Sequence, residues 1–217
     1  MVGYIIVLTE ALALLIATFR FFKQRNQSNA LLLCLLCMVV LNESASLFHW
    51  YSKVTFFRTN AMLLFNSTLL LEVLFYLLII QSVINDVRRK RKLVYVLLFY
   101  LSSLLVLFLF LEQPQTRFTI ISFCLGSVLT LVYIMVYFYE QIVSGMIASG
   151  LKNFWNWIFA FLLFFLAVEI PFMCVFNYAL DHADFFVKHT WVTNFKIGAS
   201  CVYYLSYIFG FIWENKK

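Results

Sequence analysis

Apolar residues fill seven long runs of this chain: 3–22, 29–51, 57–84, 93–111, 118–142, 154–179 and 190–213. Short clusters of charged and small polar residues separate them. Each run is close to the ~20 residues a helix needs to cross a hydrocarbon core about 30 Å thick. A lone apolar segment in lipid must satisfy its own backbone, and only the helix does so. The pattern predicts an all-α, multi-pass membrane protein in which 1–217 form one seven-helix domain. The fourth run separates seven spans from six, and its Val94–Leu111 portion contains no charge. The first run has neither a basic leader nor a small-residue cleavage site, so it reads as a retained span and not as a signal peptide.

Composition agrees. The chain is 64% hydrophobic with 26 Phe, 6 Gly and 2 Pro, and its mean hydropathy is +0.92. A soluble domain of this length has no interior large enough for so much apolar surface. No long polar stretch is available to form a soluble catalytic or nucleic-acid-binding domain.

The cations are unevenly spread. With the N-terminus outside, the inner side gathers Arg20, Lys23, Arg25, Arg88, Arg89, Lys90, Arg91, Lys92, Lys152, Lys216 and Lys217. The outer side receives Lys53, Arg58, Arg117, Lys188 and the submerged Lys196. The positive-inside rule then places the N-terminus outside and the C-terminus in the cytoplasm. The run Asp86-Val-Arg-Arg-Lys-Arg-Lys92 reads as a basic inner loop serving orientation, contact with anionic lipid or docking of an acidic partner. Nucleic acid is not a sensible partner for a net charge of +6 arranged in this way.

Five acids, Glu10, Glu43, Glu72, Glu140 and Glu169, interrupt or border the apolar runs. A carboxylate in hydrocarbon costs roughly 2.5–3.5 kcal/mol on insertion scales unless it is protonated, paired or open to a polar cavity. At about 1.5 Å per residue, Glu10, Glu43, Asn66, Glu169 and Lys196 all fall roughly 10–14 Å below the outer ends of their helices. Glu72 lies deeper, and Glu140 sits at the inner rim. Helical spacing sorts the polar groups into stripes: Asn42, Ser46 and His49; Thr68, Glu72 and Tyr76; Ser122, Gly126, Thr130, Tyr133 and Tyr137; and Lys196, Ser200, Tyr203, Tyr207 and Gly210. Lipid offers such groups no partner, so these faces are expected to turn inward. The candidate ligand-binding residues are therefore Glu10, Asn42, Glu43, His49, Asn66, Glu72, Glu169, Lys196 and Tyr203. Glu169-Ile-Pro171 adds a proline beside an acid, where a helix can bend.

Other chemistry is thin. The five cysteines (34, 37, 124, 174 and 201) all fall within apolar runs, which argues against a disulfide framework. Cys34 and Cys37 have C-x-x-C spacing, but a continuous helix makes them packing residues. His182 and His189 with Asp181 and Asp184 lack recognised metal-ligand spacing. Ser46 and His49 share a face without a third catalytic member. No phosphate loop, nucleophile elbow or H-E-x-x-H occurs. No catalytic residue, metal site or cofactor is assigned. Lys196 lies too near the end of its helix for a retinal Schiff base.

Several local patterns together resemble a family of small stand-alone seven-helix membrane proteins of Bacteroidetes-type bacteria, similar to the membrane sensor regions of histidine kinases. They are Thr9-Glu10-Ala11, Asn42-Glu43, Asn66 to Glu72, Val136-Tyr-Phe-Tyr-Glu140, Lys152-Asn-Phe-Trp-Asn-Trp157, and Glu169-Ile-Pro171 to Asn177-Tyr178. Phe154 stands where that pattern has a proline. The resemblance implies a sensory role beside a separately encoded kinase. The expected function is a non-enzymatic sensor or accessory signalling subunit. Its polar pocket would lie in the outer half, and Arg88–Lys92 and Glu140 would meet a partner or lipid. A small-solute or proton transporter is the alternative, followed by an intramembrane lipid-modifying enzyme.

Overall fold

The computed structural model describes residues 2–52, 55–112, 117, 119–145, 153–181 and 190–215, and within the helices it leaves the side chains of 2–3, 45–52, 55–61, 108–109, 177 and 179–181 undescribed. His49, proposed for the pocket, lies outside the described side chains, as do His182 and His189. Every regular element among the described residues is helical. The elements are α1 (Val2–Lys23), α2 (Gln27–Ser52), α3 (Thr55–Val83), α4 (Val87–Val106) running into a π-helical turn (Leu107–Leu111), α5 (Ile120–Val143), α6 (Phe154–Asp181) and α7 (Thr190–Asn215).

Six of these helices, all but α4, are long and apolar enough to cross a membrane. The fourth falls short because its first two turns carry Arg88, Arg89, Lys90, Arg91 and Lys92. Its apolar stretch begins at Leu93 and ends only after the π-helical turn. Large apolar side chains are exposed along every helix, among them Leu8, Leu41, Leu71, Phe99, Met135, Phe164 and Phe209. Lipid, not water, suits such a surface.

The basic run is helix and not the loop its charge suggested. Asp86 caps α4, its carboxylate accepting from the amides of Arg88 (2.8 Å) and Arg89 (3.2 Å). An aspartate at the cap satisfies amides that the first turn leaves unbonded. Arg and Lys are good helix formers, so a capped basic run continues as helix.

The chain divides into two units, one formed by Met1–Ile16 with Gln141–Lys217 and the other by Ala17–Glu140. In the second unit, α2 and α3 run antiparallel. Ser28 meets Ser82 (2.8 Å) near one end of the pair, and Asn42 meets Thr68 (3.3 Å) towards the other. α4 and α5 are antiparallel as well. The Tyr100 hydroxyl donates to Ser122 O (3.3 Å), and the Tyr133 hydroxyl to Leu93 O. Gly126 sets how closely these helices approach, because a Cβ there would overlap the Tyr100 hydroxyl and a Val73 methyl. The expected α5 stripe is borne out: Ser122, Thr130, Tyr133 and Tyr137 are buried, and Gly126 lies on the same face. At the end of α5, Gly145 takes φ +67°, the left-handed conformation that closes many helices.

In the first unit, α6 and α7 form the most extensive pair among the described residues. They too are antiparallel: Phe172 and Glu169 meet Lys196, Phe165 stacks on Tyr203, and Phe154 meets Tyr207. Asn153 begins α6 by accepting from the Trp155 amide at 3.0 Å. Pro171 lies inside α6, which continues through it.

Candidate functional site

Helical spacing puts Phe165, Glu169 and Phe172 on one face of α6, and Lys196, Ser200, Tyr203 and Tyr207 on one face of α7. Packing these two faces brings opposite charges together. Lys196 Nζ lies 3.1 Å from Glu169 Oε1 and 4.7 Å from the centre of the Phe172 ring. The ammonium is thus held between a carboxylate and an aromatic face, each attractive to a cation.

The environment of this pair is asymmetric. Glu169 is only 4% exposed, whereas the Lys196 side chain keeps 28% of its surface. The second carboxylate oxygen, Oε2, is buried and has no hydrogen-bond partner among the described residues. A buried carboxylate normally satisfies both oxygens, since an unbonded one loses its hydration without replacement.

Further along α7, Tyr203 stacks on Phe165, with ring centres 5.2 Å apart and an interplanar angle of 18°. Its hydroxyl lies 2.7 Å from that of Tyr207. The stripe expected on α7 is therefore buried from Ser200 through Gly210, with Lys196 at its more open end. Glu10 belongs to the same unit and is 2% exposed. Its neighbour Thr9 approaches the Cys201 sulfur at 4.0 Å. That contact sets the Thr9–Glu10 turn about 7.5 Å along α7 from Lys196, at ~1.5 Å per residue. Glu10, Glu169, Lys196 and Tyr203 thus come from three elements of one unit.

The other candidates lie in the second unit and have more local partners. Asn42 Oδ1 accepts from Thr68, and Glu72 accepts from the Tyr76 hydroxyl one turn on. Glu43 is half-buried on α2 beside Asn42. Asn66 is engaged by backbone: its Nδ2 donates to Arg117 O (2.7 Å), and its Oδ1 accepts from the Thr119 amide (3.2 Å). It ties α3 to the residues that lead into α5.

Two acids act as backbone caps, which residue spacing alone did not reveal. Glu112 Oε1 accepts from the Ile121 (2.8 Å) and Ser122 (3.2 Å) amides at the start of α5. Glu140 Oε1 accepts from the amides of Asn85 (3.1 Å) and Asp86 (2.9 Å), holding the α3–α4 corner against the end of α5. Arg89 completes that corner through Asp86 Oδ2 (3.3 Å) and a position 5.0 Å from the centre of the Tyr139 ring. The Arg89 amide bond holds the Asp86 carboxyl below its ordinary value of 3.8, opposed by partial desolvation and helped by the Arg88 amide and both arginine charges. Arg20, counted above among the inner-side cations, is buried, with Nε donating to Asn29 Oδ1 at 2.9 Å.

No family model, curated protein or solved structure matches this chain. Among the described residues, no three metal-binding side chains converge, and all five cysteines are free thiols. With Oε1 held by Lys196, Oε2 of Glu169 is the acceptor left for a further hydrogen bond.

Proposed function

We propose that this chain is an integral membrane sensor or accessory signalling subunit that works through a separate partner. Its polar site contains Glu169 and Lys196, with Glu10 and Tyr203 contributed by the same unit; Glu43 and Glu72, on α2 and α3, are separate candidates. In this reading all seven helices span a cytoplasmic membrane, the N-terminus is outside, and the site occupies the outer half.

The observation that carries the proposal is the state of Glu169. One oxygen is bound to Lys196, and the other is buried without a partner among the described residues. An ion pair kept only to join α6 and α7 gains nothing from a bare carboxylate oxygen, and apolar packing would join them as well. A site that receives a proton or a small hydrogen-bonding ligand needs an acceptor not already used by the fold. Binding there would change the charge balance of the α6–α7 pair, and so bias its packing. The output would pass through the α3–α4 corner and the end of α5 to a separately encoded protein, for which the resemblance implies a histidine kinase.

The test is a Glu43→Gln/Glu169→Gln double variant expressed in the native host. Normal membrane levels with altered output of the associated pathway support the reading. Unchanged output from a well-expressed variant overturns it. Glu72-dependent proton or solute flux in reconstituted vesicles would instead favour a carrier.

A further inference from the structure

α4 carries a second surface, independent of the polar site. At about 100° per residue, Arg88, Lys92, Tyr95 and Phe99 fall on a single stripe, with Arg91 at its edge. Leu93, Leu97 and Tyr100, on the opposite side, are buried. The stripe itself is open: Arg88, Arg91 and Lys92 are exposed, Tyr95 is 71% exposed and Phe99 64%. Along one face the chain passes from three cations to an aromatic hydroxyl and then to apolar side chains.

None of the three cations is held in an ion pair among the described residues. The nearby acids are Asp86 and Glu140. Asp86 is occupied by two amides and the Arg89 guanidinium. Glu140 gives Oε1 to two amides of the corner, and its Oε2 is buried. Arg89 is spent on holding the corner, and Lys90 lies off the stripe.

We propose that this face of α4 binds the headgroup of an anionic phospholipid. Arg88, Arg91 and Lys92 would contact the phosphate, Tyr95 would sit at headgroup level, and an acyl chain would lie along Phe99. Cations on consecutive turns reach one phosphate. Interfacial tyrosine and an apolar face directly below match the order in which a bilayer presents charge, interface and hydrocarbon. A soluble acidic protein fits less well, because the same stripe runs on into the apolar surface.

The experiment uses the full chain in nanodiscs of phosphatidylcholine containing a minor fraction of phosphatidylglycerol. Lipid retained on extraction is counted by native mass spectrometry. The wild-type chain is expected to enrich phosphatidylglycerol, and each cation removed lowers that enrichment about fivefold at low salt. The Arg88→Gln/Arg91→Gln/Lys92→Gln variant should approach the bulk lipid ratio, while Lys23→Gln/Arg25→Gln stays within about twofold of wild type. Circular dichroism and melting of each variant verify folding. No enrichment in wild type, or full enrichment in the triple variant, overturns the proposal. So does displacement of phosphatidylglycerol by inorganic phosphate at equal concentration, which would make the site one for free phosphate. Tight binding of polyglutamate to protein in pure phosphatidylcholine, without any lipid preference, would make it a protein-docking surface.

Discussion

Lys196 reaches Glu169 Oε1 at 3.1 Å while the other oxygen of the same carboxylate stays buried and unbonded among the described residues. The carboxylate of Glu169 is therefore only half engaged by the fold. The strength of the pair is set by burial. Removing one partner from a fully buried ion pair costs about 3–5 kcal/mol, because the charge left behind is uncompensated. With Lys196 28% exposed, Lys196→Met should cost about 3 kcal/mol, at the low end of that range. The double variant Glu169→Leu/Lys196→Met should recover most of the loss. A double-mutant cycle on unfolding in detergent measures the coupling, and a coupling near zero would mean the pair contributes nothing to stability.

Gly126→Ala should destabilise the second unit. The added methyl would overlap the Tyr100 hydroxyl and Val73, and overpacking of this kind costs about 1–3 kcal/mol. Tyr100→Phe removes the clashing oxygen together with its 3.3 Å bond to Ser122 O. Thermal unfolding of the Gly126→Ala/Tyr100→Phe double variant should show less loss than the sum of the single variants.

Glu140→Ala should free the α3–α4 corner. Two amide donors would lose a charged acceptor, at about 1–3 kcal/mol. Hydrogen exchange at Asn85 and Asp86 should accelerate, with little change at Leu93 or Tyr100. Glu140→Gln keeps a carbonyl acceptor and should fall between the two. Equal exchange in all three proteins would show that the carboxylate does not hold the corner.

Asp86 gives a pH dependence with a defined sign. Its folded-state carboxyl titrates below the ordinary 3.8, chiefly through the Arg89 amide bond. The stabilisation is thus complete above that ordinary value and is lost as pH falls through the lower, folded one. Fraying of the first turn of α4 should set in only below about pH 4. Asp86→Asn should remove that acid step. Amide exchange of Arg88 and Arg89 across the acid range measures it.

The seven helices were legible because hydrocarbon permits few alternatives: their ends lie within about two residues of the apolar runs, α4 excepted. There the basic run hid the first turns, since its charge marks a membrane boundary and says nothing about whether the backbone there is helical. The π-helical turn at Leu107–Leu111 leaves no trace in periodicity. The inward faces of α5 and α7 followed from spacing, and so did the similar depth of Lys196 and Glu169, but their pairing depended on how α6 and α7 pack. Asn66, Glu112 and Glu140 were not legible in their observed roles. Each binds backbone amides or carbonyls of a distant connection, and the course of a connection is not written in the residue that caps it.

In the proposed reading the surroundings of Glu169 and Lys196 are hydrated and open, not a sealed knot. Radiolytic hydroxyl footprinting of the full chain in nanodiscs tests it directly, because labelling of buried rings requires water held beside them. Labelling of Phe172 and Tyr203 should stand well above that of Phe159, which lies on α6 and is as buried as Tyr203, each 1% exposed. Glu169→Leu should suppress that labelling. Phe172 and Tyr203 labelled no faster than Phe159 in the wild-type chain would contradict it.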